Sequence, residues 1–328
     1  MKFVLSVCAY VIALQASAAD LPTILDGRGI WMRHSRDLNS QLIDRMRLAG
    51  IKRVHVMGSS TFKQRTCSKA EPRIVDDADT IAKTVTVLKA AGFVSILTLY
   101  VPPTKTAVDS LMTDVIPKAI AAGVDGIEFD LEGDWSEHPA CEYTDHRSVF
   151  ADLRVRTKKF RSGLPVGITT HSGRVNDPRV PKADADWLSL QLYSYCKKAI
   201  PPTAAVPAAP GKAGKPAKAG KPAKCDAFSH PTTGPGGEQR QAINLLAGYE
   251  KPVIIGLAAY SQKWDGHTVD EAMQLALNAT LTLINNDPLK FVGYNYWAND
   301  SGLNPNPKKD EPFKFLVKTA KDDVVKIP

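Results

Sequence analysis

The sequence predicts a single (β/α)8 barrel, and three observations predict it. Short apolar, β-branched runs alternate with stretches of helical periodicity from about Gly27 to Thr319. Eight such runs occur, nearly every one followed by a helical stretch, as a closed parallel sheet wrapped by helices requires. No Gly-rich loop links a strand to a helix, which argues against a doubly wound nucleotide-binding sheet.

In chain order, Gly29 to His34 is the expected first strand, and Leu38 to Ala49 is a helix stopped by Gly50. Arg53 to Met57 is the second strand. A helix from Asp76 to Ala91 starts on two aspartates and ends before Gly92. Val94 to Val101 is the third strand, halted by Pro102-Pro103. Thr106 to Ala122 is a helix that Pro117 should kink. Ile127 to Leu131 is the fourth strand, and Asp145 to Ser162 a helix. Val166 to Thr170 and Trp187 to Tyr195 are strands five and six, and Glu238 to Tyr249 is the next helix. Val253 to Tyr260 and Phe291 to Trp297 are strands seven and eight. Helices from Val269 to Asn285 and from Pro312 to Thr319 complete the pattern.

Residues 1–19 stand apart. Lys2 precedes an apolar run from Phe3 to Leu14 and then Ala16-Ser17-Ala18, the pattern of a secretory signal peptide. The run is short for a membrane span, and no later stretch is long and apolar enough for one. The expected product is residues 20–328, exported to a periplasmic or extracellular setting. Cys8 leaves with the leader. Cys67, Cys141, Cys196 and Cys225 remain, an even number suited to two disulfides, with three pairings open and Cys196–Cys225 with Cys67–Cys141 favoured. Their spacing does not resemble a zinc site, and no metal is expected.

The formal charge of +8 is concentrated in one place. Seven Lys and no acid lie between Lys197 and Cys225, so the remaining body is near neutral and a specific nucleic-acid partner is not expected. This 197–225 insertion follows strand six and is built almost wholly from Pro, Ala, Gly and Lys. Its repeat of Gly214-Lys-Pro-Ala-Lys218 as Gly220-Lys-Pro-Ala-Lys224 predicts disorder. As a tethered polycation it would contact anionic polymers.

The chemistry-bearing stretch is Asp125-Gly-Ile-Glu128-Phe-Asp130-Leu-Glu132-Gly-Asp-Trp135. In a strand, alternate side chains share a face, so Glu128, Asp130 and Glu132 point one way while Ile127, Phe129 and Leu131 point to core. Like charges roughly 6–7 Å apart in a half-buried strand disfavour full ionisation, so at least one carboxyl should keep its proton at neutral pH. A neutral carboxylic acid beside an ionised one is a candidate general acid. In a barrel, the C-terminal end of strand four is where such chemistry belongs. Trp31, Trp135 and Trp264 lie near strand ends and are expected to line the substrate cleft. His34, His55 and His171 show no metal spacing and are assigned structural or substrate-contact roles.

This run resembles the Asp-Gly-x-Asp-x-Asp-x-Glu signature of family 18 glycoside hydrolases, the chitinase family. Gln191-Leu-Tyr193 on strand six is similar to that family's Gln-x-Tyr, and Gly293-Tyr-Asn-Tyr-Trp297-Ala-Asn-Asp300 to its strand-eight ending. The resemblance spans the barrel. It implies that Glu132 protonates the glycosidic oxygen while the substrate's own 2-acetamido oxygen attacks the anomeric carbon. It further implies that Asp130 orients the acetamido group, that Tyr193 donates a hydrogen bond to it, that Gln191 contacts the sugar, and that Trp297 forms an apolar floor. The implied partner is a polymer or glycan containing β-linked N-acetylglucosamine, with no cofactor. Glu128 departs from the family's Asp, which shares a proton with the position matching Asp130, and the extra methylene enters a crowded interior. Beside a polyanion-binding protein led by the Lys-rich arm, against which counts the near-neutral body, two rivals stay open. One is a peptidoglycan hydrolase of the lysozyme-like barrels, against which counts the lack of an acid in Gly29 to His34. The other is a non-catalytic carbohydrate-binding protein, against which counts the presence of Glu132.

Overall fold

A computed structural model describes residues 20–60, 73–132, 135–136, 138–192, 237–258, 268–297 and 311–320. Eight parallel strands close on themselves: β1 (Gly27–Met32), β2 (Arg53–Ser60), β3 (Val94–Tyr100), β4 (Gly126–Asp130), β5 (Val166–His171), β6 (Leu188–Gln191), β7 (Val253–Ala258) and β8 (Phe291–Trp297). Each pairs with its sequence neighbours, and β1 bonds both β2 and β8, which closes the ring. This is the expected barrel. The leader, the 197–225 insertion, Cys67, Cys196, Cys225, Tyr193 and Trp264 lie outside the described residues, and so does the disulfide pairing. Among the described residues no helix is long and apolar enough to cross a membrane.

The helices are α1 (Asp20–Leu25), α2 (Ser40–Leu48), α3 (Ala78–Ala90), α4 (Lys105–Ser110), α5 (Ile116–Ala121), α6 (His146–Phe160), α7 (Gly237–Leu245), α8 (Val269–Asn286) and α9 (Glu311–Thr319). Their N-termini follow local chemistry. Asp77 accepts the Thr80 N–H, and Asp145 with Ser148 and Thr268 with Glu271 form reciprocal capping boxes. The expected Thr106-to-Ala122 helix is α4 and α5 joined by a π turn, Leu111–Val115. Pro117 lacks an N–H and its ring crowds the carbonyl four residues back, so the turn before it widens and the helix continues.

Three boundaries differ from expectation. β1 begins at Gly27, whose φ of +73° turns the chain out of α1, and His34 instead precedes a short 3-10 turn, Ser35–Asp37. β2 runs on to Ser60 because Ser59 and Ser60 pair antiparallel with Arg73–Ile74. The six-residue α1 has no apolar period to announce it. It places Leu25 across the bottom of the barrel, against Ile96, Trp187 and Ile254.

Alternation divides each strand. Ile127, Phe129 and Leu131 face outward into the main core beneath the helices, where Phe129 meets Phe150 edge-on at 6.2 Å. The inward set is unusual for its size and polarity: Trp31, Arg53, His55, Glu128, Trp187 and Asn295 are all buried. Glycines on neighbouring strands make that possible. A Cβ at Gly167 would lie 2.1 Å from the Trp187 indole, and one at Gly29 would lie 1.9 Å from Asn295 Oδ1. Gly167→Ala should therefore force Trp187 out of place and destabilise the fold by about 3 kcal/mol, the upper range for core overpacking. Chemical denaturation of the variant checks this, and an unchanged midpoint would refute the packing argument.

Candidate functional site at the C-terminal mouth of the barrel

Glu128 lies at the centre of the barrel with no solvent exposure. Its Oε1 accepts hydrogen bonds from Trp31 Nε1 at 3.1 Å, Thr98 Oγ1 at 3.0 Å and His55 Nδ1 at 3.0 Å. Its Oε2 accepts from Trp187 Nε1 at 3.2 Å and from the Ser189 hydroxyl. The tautomer of His55 follows from its other nitrogen. Arg53 Nε, at 3.2 Å, and Asn295 Nδ2, at 2.9 Å, both direct N–H groups at Nε2, so Nε2 accepts and Nδ1 carries the hydrogen. His55 is thus neutral, its pKa lowered by burial, against which the nearby Glu128 charge works in the opposite direction.

The compensating cation is one step further down. Arg53 is fully buried; its guanidinium donates to Asn295 Oδ1 at 2.8 Å and to the carbonyls of Leu25 and Asp26 at the end of α1. Burial lowers its pKa to about 10, which still leaves it a cation at neutral pH. Burial raises the Glu128 carboxyl, but His55 and the other donors more than offset this and hold it at about 2. Glu128 is a fixed anion. Among the described residues no hydrogen bond joins it to Asp130, so the proton sharing implied by the resemblance is replaced by an electrostatic coupling.

Asp130 ends β4 one inward step higher, only 7 % exposed. Gln191 Nε2 donates to its Oδ1 at 3.3 Å and to Thr169 Oγ1 at 3.0 Å. Burial, then the charges of Glu132 and Glu128, push the Asp130 carboxyl well above its usual range. Glu132 lies beyond the last ladder bond, with its side chain 25 % exposed and its Oε1 3.3 Å from His171 Nε2. Burial would raise its pKa, but the hydrogen bond and charge of His171 and a hydrogen bond from Gln191 hold it below the ordinary value. Of the three carboxyls, Asp130 is the one whose surroundings favour keeping the proton. Glu132, to which the resemblance gives the acid role, is the ionised partner in the free protein.

The tryptophans divide. Trp297, at the end of β8, is partly exposed and packs with Trp31 and Ala258, its ring centroid 6.2 Å from that of Trp31. Trp31 is not an open subsite: it is 2 % exposed and its N–H is committed to Glu128. Trp135 departs most from expectation. It is fully buried, donates its indole N–H to the Arg179 carbonyl at 2.9 Å and stacks edge-on with His146, while its backbone N–H bonds the Glu132 carbonyl. It anchors the loop that carries Glu132. Gln191 first serves to hold Asp130. Two residues given only general roles in the sequence reading, His55 and His171, join the site. The sequence placed them on or near strands, but not which carboxylate each meets. No group of metal-ligating side chains occurs among the described residues.

No family model and no curated relative matches the sequence. The fold is similar to the tryptophan synthase alpha chain from Legionella pneumophila subsp. pneumophila, with a TM-score of 0.50 and 10 % identity over 95 % of this chain and 98 % of that one. A β-D-glucuronidase from Dictyoglomus thermophilum gives a TM-score of 0.49 and 10 % identity over 84 % of this chain; the match spans only 43 % of that protein's length. A chitinase from Chromobacterium violaceum ATCC 12472 gives 0.44 and 14 % over 90 % of this chain and 99 % of that one. At these identities the likeness is one of barrel fold alone.

The buried array makes stability pH-dependent with a defined sign. Folding holds His55 below its ordinary 6.5, so its contribution is complete above that value and is lost as pH falls through it. Glu128 adds a second loss between 4.5 and about 2. Asp130, whose carboxyl is raised, works the other way over the same range, so the His55 contribution is read from a difference: the melting temperature of wild type should lose ground to that of His55→Asn as pH falls below about 6.5, while the variant is the less stable of the two at pH 8. Thermal denaturation of both proteins across pH 5 to 8 checks it; parallel curves would remove His55 from the account.

Proposed function

We propose that the protein is a glycoside hydrolase acting on β-linked N-acetylglucosamine in a polymer or glycan, by substrate-assisted, retaining hydrolysis. The observation that carries this reading is the separation of two neighbouring carboxyls at the barrel mouth. Asp130 is buried with Gln191 Nε2 on its Oδ1, a setting that favours its proton, and Glu132 is partly exposed with His171 Nε2 3.3 Å from its Oε1, a setting that favours its charge, with the partly exposed Trp297 ring also at the C-terminal end of the strands. Pairs whose environments drive their protonation apart mark acid–base sites.

In this reading a sugar stacks on Trp297 and its 2-acetamido group lies over Asp130. The neutral Asp130 and the Tyr193 hydroxyl hydrogen-bond that group and set its oxygen against the anomeric carbon. Substrate displaces water from the mouth, and desolvation raises Glu132 until it holds a proton. Glu132 passes that proton to the glycosidic oxygen as the C–O bond breaks and the acetamido oxygen bonds to carbon. Water, deprotonated by Glu132, then opens the cyclic intermediate with net retention. Glu128 takes no proton in this sequence; its fixed charge keeps Asp130 neutral. The leader and the Lys-rich insertion extend the proposal: the enzyme acts after export, with the 197–225 segment meeting anionic polymers near its substrate.

Hydrolysis of a short chitin oligosaccharide, with products resolved by anomer, tests the reading. Wild type should release β-anomers, and Glu132→Gln should lose on the order of 100-fold or more in kcat, the contribution of a positioned general acid. Binding without cleavage by both proteins would replace the enzyme with a carbohydrate-binding protein. Neither binding nor cleavage would move the search to peptidoglycan.

A further inference from the structure

We propose that His171 is a positioning residue for Glu132, gripping its carboxylate across the mouth of the barrel and setting the pH range in which it can exchange protons. The inference rests on the acid role given to Glu132 above. It begins from where the strands stop. Leu131 N–H makes the last ladder bond, to the Thr169 carbonyl, so Glu132 projects from chain that the sheet no longer holds. Trp135 fixes the backbone there by bonding the Glu132 carbonyl, which leaves the direction of the carboxylate to side-chain partners.

His171 is placed to supply that direction. It is the last residue of β5, on the same inward face as Gly167 and Thr169, and it pairs in register with Gln191 on β6. Its side chain is 14 % exposed, so the ring is rigidly backed yet borders the cleft, with Nε2 3.3 Å from Glu132 Oε1. The charged and titratable groups facing Glu132 are Asp130 and Glu128 on β4, His171 on β5, and, beneath them, His55 and Arg53 on β2. Gln191 adds a neutral donor from β6. A charge on Glu132 disfavours a charge on Asp130, so the two carboxyls do not readily ionise together. His171 opposes that repulsion from the cleft side, and the burial of Asp130 directs the shared proton inward.

The consequence is a division of labour. With His171 present, Glu132 rests as an oriented anion, ready to accept a proton when substrate closes the mouth. Without it, Glu132 loses that partner and competes with Asp130 for one proton, while Gln191 still holds Asp130.

Carboxyl 13C NMR titration of the free protein reads this directly, with the Glu132 signal assigned by its absence in Glu132→Gln. His171→Phe should move the Glu132 midpoint to higher pH by on the order of one unit. His171→Gln, which keeps an N–H donor but no titratable ring, should fall between. On a chitin oligosaccharide the alkaline limb of kcat/KM should move in the same direction as the midpoint. A Glu132 midpoint unchanged in both variants would overturn the proposal. If His171→Phe fails to fold, His171→Gln alone decides. A shifted midpoint in a protein whose wild type cleaves no N-acetylglucosamine linkage would keep the His171–Glu132 coupling and remove the glycosidase reading.

Discussion

The interior of this barrel is organised around one buried negative charge. An isolated carboxylate taken out of water costs several kcal/mol even after relaxation, so Glu128 exists only because its surroundings were built for it. Its five donors come from four strands or their edges: Trp31 from β1, His55 from β2, Thr98 from β3, and Trp187 and Ser189 from the β6 run. Arg53 supplies the cation through His55, and Asn295 on β8 ties the two together. The glycines belong to the same device. Gly29, Gly167 and Gly256 stand beside Asn295, Trp187 and Trp31 at distances that allow no methyl group without movement. Large polar-edged rings thus fill space that branched aliphatic side chains fill in more ordinary barrels.

That charge acts upward as well as inward. Asp130 is the next inward residue, and a fixed anion below it, together with burial, makes its ionised form unfavourable. Gln191 then fixes one oxygen, and Thr169 fixes Gln191. Each layer from Arg53 to the mouth is set by the one beneath: cation, neutral imidazole, anion, neutral acid. Glu132 breaks the sequence because it has left the sheet, where His171 and partial solvation permit a charge. A vertical gradient of protonation follows from strand periodicity combined with one buried ion, and it requires no movement of the backbone.

Much of this was legible in the sequence, and the remainder was not for definite reasons. The alternation of Ile127, Phe129 and Leu131 with Glu128, Asp130 and Glu132 reported both faces of β4, because a period of two fixes direction whatever lies opposite. Glycines and aspartates marked most helix ends because caps are local. Partners across the barrel are not local. That His55 meets Glu128 while His171 meets Glu132 depends on the stagger between strands, which ring closure sets. Trp135 looked like a cleft residue because it follows the acid by three positions; a turn after β4 carries it under Arg179 instead. The bottom plug was missed because α1 has six residues, too few to show a period.

The Glu at position 128, where the resembling family has Asp, reads differently in this setting. Taken alone, an added methylene in a packed interior suggests a lesion. Here the longer side chain brings Oε2 to Trp187 and Ser189 on one side of the barrel while Oε1 faces Trp31, Thr98 and His55 on the other. Withdrawing the carboxylate by a methylene would leave buried N–H and O–H groups unmatched, at about 1–3 kcal/mol for each. The substitution is therefore bound to its neighbours: Glu128 needs Trp187 and Ser189, Trp187 needs the bare backbone of Gly167, and the resulting anion needs Arg53. A residue that relays a proton must be able to let go of its partners. One held by five donors cannot do so cheaply, and its place in the chemistry is as a constant field beneath Asp130.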